Sequence, residues 1–141
     1  MQNMCYNIIM EINYKQLIKA SFDAQKNSYA PYSKFCVGAS LLCKSGKIYT
    51  GANIENASYP AGICAERSAF CKAICDGEKQ FEALCITCSN PDTYAYPCGV
   101  CRQFISEFST SIKIIVAKSQ SDYKEFTLND LLPHNFNSDS L

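Results

Sequence analysis

Hydrophobic and polar residues near the N-terminus alternate with a helical period. Between residues 14 and 28, apolar or small residues recur close to every 3.6 positions, at Leu17, Ile18, Ser21, Ala24 and Ser28. This spacing predicts an amphipathic helix. Asn13 directly precedes it and is a residue type that caps helix N-termini. Pro31 should end the helix, because proline cannot continue a hydrogen-bonded turn.

Two β-prone stretches follow and predict a hairpin over residues 35–43 and 48–54, joined by a Lys-Ser-Gly-Lys turn at 44–47. Further along, the pattern predicts helices over 64–75 and 99–108, strands over 81–89, 112–117 and 124–127, and a last helical turn over 128–132. Loops are expected over 56–63 and 90–97, which contain prolines. Strands that alternate with helices are typical of an α/β domain with a partly parallel sheet, and the hairpin makes that sheet mixed.

Size and charge narrow the possible functions. The chain has 141 residues, so we expect a single domain over 1–141, with a frayed polar tail over 137–141. Hydrophobic residues make up 48% and charged residues 18%, which excludes a wholly disordered chain. Thirteen basic and thirteen acidic residues give zero net charge, which argues against nonspecific binding to nucleic acid or anionic lipid.

The chain also lacks the sequence features of membrane insertion or secretion. No apolar run approaches the ~20 residues that a membrane-spanning helix needs. Residues 1–10 have neither a basic start nor a long apolar run, so we expect no signal peptide. A cytoplasmic protein without a membrane partner is the resulting prediction.

Ten cysteines are the unusual feature of the composition. In a reducing cytosol, clustered cysteines more often bind metal or lie in the core than form disulfides. Cys98 and Cys101 have the CxxC spacing at a predicted helix start, where free N–H groups and the helix dipole stabilise thiolates. Cys64 opens another predicted helix. Two converging helix starts would bring three thiolates together, and three protein ligands leave the open position of a catalytic zinc site.

The remaining cysteines and the one histidine predict no second metal site. Cys85 and Cys88 also have the CxxC spacing, but residues three apart in a strand point to opposite faces, so both are predicted to fill the core. Cys71 and Cys75 are four apart on a helix and are predicted to line its apolar face. His134 is predicted to lie at the surface or in a subunit contact.

Three polar residues near these cysteines have two interpretations each. Glu66 follows Cys64 by two residues. It either only favours the helix dipole or moves protons beside a metal-bound water, and an adjacent open coordination position favours proton transfer. Asn53 and Glu55 are two apart at a predicted strand end and therefore share a face. They either grip vicinal hydroxyl groups or are ordinary strand-end residues.

Together these motifs resemble the zinc-dependent cytidine deaminases of the short, homotetrameric type. The resemblance covers nearly the whole chain and rests on the segments Tyr29–Phe35, Val37–Ala39, Gly51–Pro60, Cys64–Arg67, Pro97–Gln103 and Leu131–Pro133. It implies a three-layer α/β/α fold with a mixed, mainly five-stranded sheet and one zinc ion per chain. The implied activity is hydrolytic deamination of cytidine and deoxycytidine to uridine and deoxyuridine, in pyrimidine salvage.

The same resemblance implies a role for individual residues. Zinc would be bound by Cys64, Cys98 and Cys101, with Glu66 as the proton shuttle and Arg67 hydrogen-bonded to ligand sulfurs. The nucleoside would contact Phe35, Asn53, Glu55 and the backbone of Ala65. Tyr59 and Phe136 would complete a neighbouring subunit's site in a homotetramer. Val100 departs from the family's usual alanine, and Cys36 has no evident role beyond filling space.

Three other functions fit part of the pattern. A deaminase of the blasticidin type, acting on another aminopyrimidine nucleoside, shares the zinc ligands, so residues 53–56 (Asn-Ile-Glu-Asn) would discriminate between the two. A polynucleotide-editing deaminase is disfavoured by the zero net charge and the lack of a basic stripe. A noncatalytic zinc-binding interaction module would bind zinc without deaminating cytidine.

Overall fold

The structure is a computed structural model that describes residues 11–141. Its helices are α1 (Tyr14–Gln25), α2 (Ala65–Cys75), α3 (Gly99–Ser106) and α4 (Leu128–Leu131). Its strands are β1 (Val37–Cys43), β2 (Ile48–Ala52), β3 (Phe81–Cys88), β4 (Lys113–Ala117) and β5 (Tyr123–Thr127). Short 3-10 turns occupy Tyr59–Ala61 and Ser138–Ser140, and the second of them lies in the tail that we expected to fray.

The five strands form one mixed sheet in the order β2-β1-β3-β4-β5. Strands β3 and β4 are parallel and are connected through α3, whereas the other neighbouring strands are antiparallel. The predicted mixed α/β sheet is therefore confirmed. The parallel crossover places the start of α3 at the carboxyl end of β3, next to the start of α2.

Helices cover both faces of the sheet, so the predicted three layers are confirmed. On one face, Leu17 and Ile18 of α1 pack into a cluster with Leu42, Ala83, Cys85 and Ile115. On the other face, α2 and α3 share a larger cluster with the strands, which includes Ala69, Phe70, Ala73, Ile105, Leu41, Leu84, Ile86 and Ile114. Both clusters remove apolar side chains from water, which is the main favourable contribution to folding.

Two glycines allow the helices to lie very close to the sheet. A Cβ atom on Gly38 would lie 2.0 Å from the carbonyl oxygen of Ser21 in α1. A Cβ atom on Gly51 in β2 would lie 2.3 Å from the carbonyl oxygen of Ala65, in the first turn of α2. Because glycine has no Cβ, the backbones can make this approach. The absence of a side chain at Gly51 thereby determines how closely the first turn of α2 packs on the sheet.

Several predicted elements are longer than the observed ones. Asn13 caps α1, accepting a 3.0 Å hydrogen bond from the backbone N–H of Gln16, as predicted. The helix, however, ends at Gln25, so Ser28 lies outside it. Strand β1 begins only at Val37 and β2 ends at Ala52, which leaves residues 26–36 and 53–64 as the connecting segments that border the functional site. Among residues 11–141, no helix has the length and apolar character needed to cross a membrane.

Candidate zinc centre and its cavities

Three cysteine sulfurs converge where α2 and α3 begin. Cys64 and Cys98 are the N-cap residues of the two helices, both with extended backbone, and neither side chain is used in a capping hydrogen bond. Cys101 lies in the first turn of α3 and is fully buried. The ligand atoms of the three cysteines lie within 4.8 Å of one another. The predicted juxtaposition of the three residues is therefore observed.

The geometry and chemistry of this sulfur cluster fit zinc. The Sγ atoms of Cys64 and Cys98 are 3.8 Å apart, and tetrahedral thiolates at a Zn–S distance of ~2.3 Å have sulfurs roughly 3.8 Å apart. Contact with the Cys101 thiol, and to a smaller extent with Arg67, lowers the pKa of Cys64 to about 5. The pKa of Cys101 is raised, first because its thiol is hydrogen-bonded to Cys64 and then because it is buried. The lowered pKa of Cys64 favours the thiolate, which is the form in which cysteine binds a metal.

Arg67 places a positive charge against the sulfur cluster. Its Nη2 atom lies 3.7 Å from Sγ of Cys64, in the orientation that the resemblance implies. Its Nε atom is buried and has no hydrogen-bond partner among the described residues. Three thiolates and one Zn²⁺ carry a net charge of −1, so a nearby guanidinium offsets the excess charge of the occupied centre.

Glu66 is a buried carboxyl group beside the sulfurs. It lies in the first turn of α2, is only 4% exposed, and burial raises its pKa to about 7. A carboxyl group that titrates near neutral pH can both accept and donate a proton. Of the two interpretations of Glu66, a site on the cavity wall beside the metal ligands fits proton transfer better than a purely dipolar role.

Two spaces border the sulfur cluster. The inner cavity has a volume of about 440 Å³ and is lined by Phe35, Ala65, Glu66, Ile86, Tyr94 and Tyr96, among others. The outer groove has a volume of about 820 Å³ and is lined by Tyr32, Ser33, Glu55, Tyr59, Arg67 and Val100, among others. Asn53, Cys64 and Cys98 line both. A ligand that occupies both spaces would therefore lie against Asn53 and two of the three cysteines.

Asn53 and Glu55 follow the end of β2 and are held by the segment that precedes β1. Oδ1 of Asn53 accepts a 2.8 Å hydrogen bond from the backbone N–H of Val37, and Nδ2 donates a 2.8 Å bond to the carbonyl oxygen of Phe35. Oε2 of Glu55 accepts from the backbone N–H groups of Tyr32 and Ser33 at 2.9 and 3.2 Å. These bonds fix both polar side chains at the groove.

Ser33 is a functional-site contact that the sequence reasoning did not assign. Its hydroxyl group donates to Oε1 of Glu55 and accepts a 3.0 Å bond from the backbone N–H of Phe35. The hydroxyl group is the largest cause of the lowered pKa of Glu55. Ser33 therefore holds this carboxylate in place and connects it to Phe35, which lines the inner cavity.

The two residues assigned to a neighbouring subunit's site are exposed. Tyr59 is 80% exposed and lies at the outer groove, edge-on to Tyr32 with ring centroids 6.5 Å apart. Phe136 is 59% exposed, and its carbonyl oxygen accepts a 2.8 Å hydrogen bond from Nε2 of Gln103. Phe136 lines neither the inner cavity nor the outer groove of its own chain.

The other cysteines agree with the predictions in part. Cys85 and Cys88 are buried in clusters on opposite faces of β3, as predicted. Burial raises the pKa of Cys85 to about 12. The prediction for Cys71 and Cys75 was wrong, because both are exposed. Helix α2 buries Ala69, Phe70 and Ala73 instead, on the opposite side. His134 is at the surface, and Cys5 lies outside the described residues.

Comparisons with known proteins identify the family. Residues 11–118 match the family described as the cytidine and deoxycytidylate deaminase zinc-binding region. The cytidine deaminase of Sporosarcina psychrophila is 42% identical over 131 residues, covering 92% of this chain and 96% of that protein. The cytidine deaminase of Halalkalibacterium halodurans is 39% identical over 128 residues, covering 90% and 96%.

Solved structures agree with these sequence relationships. The crystal structure of cytidine deaminase from Burkholderia pseudomallei matches with a TM-score of 0.84 and 36% identity, covering 89% of this chain and 100% of that one. The cytidine deaminase of Mycobacterium tuberculosis matches with a TM-score of 0.79 and 32% identity, covering 89% and 98%. The fold, the three-cysteine centre and these similarities lead to one conclusion: the chain belongs to the cytidine deaminase family.

Proposed function

We propose that the protein hydrolyses the C4 amino group of cytidine and deoxycytidine, producing uridine or deoxyuridine and ammonia. The observation that carries this proposal is the position of buried Glu66 beside three converging cysteine sulfurs, at the wall of the inner cavity. A purely structural four-ligand zinc site would need a fourth cysteine or histidine, and the metal-ligating group found among residues 11–141 has three members.

Cys64, Cys98 and Cys101 would hold one zinc ion, which when bound supplies a water activated by a lowered pKa near ~7. Glu66 accepts a proton from the water that adds to C4 and delivers it to N3 of the pyrimidine. Glu66 then takes the proton of the new C4 hydroxyl group and passes it to the amino group. The C4–N bond breaks, ammonia departs and a C4 carbonyl remains.

The cavity walls orient the nucleoside for these proton transfers. Phe35 lines the inner cavity and provides an apolar wall for the base, while the backbone of Ala65 contacts the pyrimidine edge. Asn53 and Glu55 at the outer groove hold a sugar hydroxyl group. Arg67 is the one cationic residue among the described residues that line the two spaces, and it faces Cys64. A 5′-phosphate therefore has no partner of opposite charge there, so the substrate is the nucleoside.

A homotetramer supports this function by completing each site. Exposed apolar side chains, Ile54, Tyr59, Val100 and Phe136, lie at or beyond the open groove, and burying such groups between subunits is favourable. Val100, in place of a smaller residue, adds apolar surface at the rim. We place the enzyme in the cytoplasm, in pyrimidine salvage.

The direct test is a spectrophotometric assay of cytidine with the zinc-loaded protein. Conversion to uridine with release of one ammonia per turnover is the expected result. Stoichiometric zinc without turnover of cytidine would indicate a noncatalytic zinc module. Turnover of a blasticidin-type aminopyrimidine nucleoside but not of cytidine would reassign the substrate.

A further inference from the structure

The side-chain amide of Asn53 has almost no hydrogen-bonding capacity left for a ligand. Oδ1 accepts from the backbone N–H of Val37 at 2.8 Å and also from the hydroxyl group of Ser28. One Nδ2 hydrogen is donated to the carbonyl oxygen of Phe35 at 2.8 Å. An amide oxygen has two acceptor sites and an amide nitrogen two donor hydrogens. Within the described part of the chain, only the second Nδ2 hydrogen is uncommitted.

The orientation of this amide decides what Asn53 can offer to a substrate. With Oδ1 held internally, the side chain presents an N–H donor and no acceptor to the space that it lines. Glu55 is an ionised carboxylate and can only accept. A sugar hydroxyl group that meets both residues can therefore accept from Asn53 and donate to Glu55. In the flipped orientation, Asn53 and Glu55 would both be acceptors, and one hydroxyl group has a single hydrogen.

Ser28 adds a third hydrogen bond to the orientation that the backbone groups of Val37 and Phe35 select. It lies half-buried beyond the end of α1, and its hydroxyl group reaches both Oδ1 and, at 3.4 Å, the carbonyl oxygen of Asn53. The backbone beside it is fixed in the same place, because the N–H of Tyr29 donates to the carbonyl oxygen of Asn53 at 3.0 Å. A flipped amide would turn NH₂ toward the donor N–H of Val37 and would set Oδ1 against the carbonyl oxygen of Phe35.

We propose that Ser28 is a positioning residue that fixes the Asn53 amide with its free N–H directed at the sugar hydroxyl group of the substrate. Ser28 does not touch the substrate and acts only through Asn53. This inference rests on the proposed nucleoside deamination. It extends that function by naming a determinant of sugar recognition in the segment between α1 and β1.

The test compares deoxycytidine with 2′,3′-dideoxycytidine, which lacks the 3′-hydroxyl group. In Ser28→Ala, the ratio of kcat/KM for deoxycytidine to that for dideoxycytidine should fall by about three- to tenfold, the value of one neutral hydrogen bond. The loss should appear mainly in KM for deoxycytidine. Ser28→Thr keeps the hydroxyl group and should restore the ratio. Ser109→Ala, which removes a serine hydroxyl group that lines neither space, is the matched control.

Action through Asn53 predicts that the two substitutions are not additive. Ser28→Ala should leave the ratio unchanged in an Asn53→Ala background. If Asn53→Ala lowers the ratio and Ser28→Ala alone does not, the sugar contact stands and the role of Ser28 is wrong. If Asn53→Ala itself leaves the ratio unchanged while cytidine is still deaminated, the sugar contact is wrong and the role of Ser28 falls with it, although deamination stands.

A spectroscopic measurement avoids dependence on the Asn53 variant. With ¹⁵N-asparagine labelling of the zinc-loaded enzyme, the Nδ2 proton pair of Asn53 should shift or broaden in Ser28→Ala and return to its original position in Ser28→Thr. An unchanged Nδ2 pair in Ser28→Ala would show that the other two bonds suffice, and would overturn the proposal.

Discussion

Cys64 and Glu66 are two residues apart, yet their surroundings change their protonation in opposite directions. Contacts with Cys101 and Arg67 lower the pKa of Cys64 to about 5, while burial raises the pKa of Glu66 to about 7. The thiol thus becomes a thiolate that can bind a cation, and the carboxyl group keeps a proton available near neutral pH. Pairs of titratable groups separated in this way are typical of acid–base sites.

Replacing Glu66 with glutamine should separate proton transfer from metal binding. The amide has the same shape but cannot accept and return a proton, so turnover should fall by at least ~10²–10⁴-fold. Zinc content and Tm should stay close to those of the parent. The measurements are single-turnover kinetics and metal analysis. Turnover within a few-fold of the parent would remove Glu66 from the mechanism.

The assignment of the zinc ligands can be tested by comparing cysteines. We expect about one zinc per chain, and Cys98→Ala should lose it, because two remaining thiolates hold the ion too weakly. Cys85→Ala and Cys88→Ala remove sulfurs that are buried in β3 and should retain zinc even if Tm falls. Atomic absorption on the purified variants measures this. Loss of zinc from either β3 variant would contradict the assignment.

Asn53 and Glu55 should make the enzyme selective for nucleosides. When a ligand excludes water from these groups, a free base leaves the second Nδ2 hydrogen of Asn53 and the remaining acceptor site of Glu55 unpaired. A site built to bind a hydroxyl group can reject such an analogue by ~10⁴–10⁵-fold. Cytidine and deoxycytidine should therefore be deaminated much faster than cytosine or the 5′-monophosphate at equal concentration. Glu55→Ala should reduce the preference for cytidine over cytosine. Equal rates on cytosine and cytidine would exclude the sugar contact.

At the scale of the secondary-structure elements, hydrophobic periodicity predicted where the helices and strands lie. It did not predict their ends at positions where a polar side chain hydrogen-bonds to a distant residue. The expected helix reached Ser28, since a small residue at that position fits the period. The observed α1 ends at Gln25, and the hydroxyl group of Ser28 bonds Asn53 across 25 residues of sequence. A local pattern contains no information about such a distant partner. Ser33 was missed for the same reason.

The convergence of Cys64, Cys98 and Cys101 was predictable because its sequence signal is local and chemical. Spacing and helix-start positions pointed to Cys98 and Cys101, and a second helix start pointed to Cys64; the structure brings the three sulfurs together. The orientation of α2 was not predictable to the same degree. Cys71 and Cys75 fit an apolar stripe as well as Ala69 and Ala73 do, and only the packed sheet shows that the alanines face inward.

The close approach of α2 to β2 predicts that Gly51→Ala disturbs the metal centre. The added Cβ would meet the carbonyl oxygen of Ala65 at 2.3 Å and the backbone nitrogen of Ala69 at 2.5 Å, so α2 must move and carry Cys64 with it. Overpacking of this kind costs about 1–3 kcal/mol. We expect a lower Tm and weaker retention of zinc against a chelator.

Gly99→Ala is the matched control for Gly51→Ala. Gly99 begins α3 directly after Cys98, but a Cβ added to it would meet no described atom within 4 Å beyond its chain neighbours and its own helix backbone. The Tm and zinc retention of this variant should equal those of the parent. If Gly51→Ala kept the Tm and zinc retention of the parent, as Gly99→Ala should, the distance between α2 and the sheet would not depend on the absence of a Cβ at Gly51.

For the whole molecule, we predict a homotetramer of about 63 kDa, four copies of the 15.7 kDa chain. Light scattering of the zinc-loaded enzyme measures the mass. Phe136→Ala should raise KM for cytidine, because the ring is exposed on its own chain and would contribute to a neighbouring site. A fully active monomer would contradict both the assembly and the roles of Tyr59 and Phe136.

The sequence separation of the three cysteines bears on the order of events during synthesis and folding. Cys98 and Cys101 form a short local chelate that an unfolded chain already possesses. Cys64 is 34 residues from Cys98, and its sulfur lies beside theirs only in the folded arrangement, in which α2 and α3 begin next to each other. Metal affinity that depends on a folded arrangement contributes to the stability of that arrangement. Zinc that binds first to Cys98 and Cys101 would therefore favour the docking of α2. Coordination by all three cysteines would then require that the starts of α2 and α3 lie together.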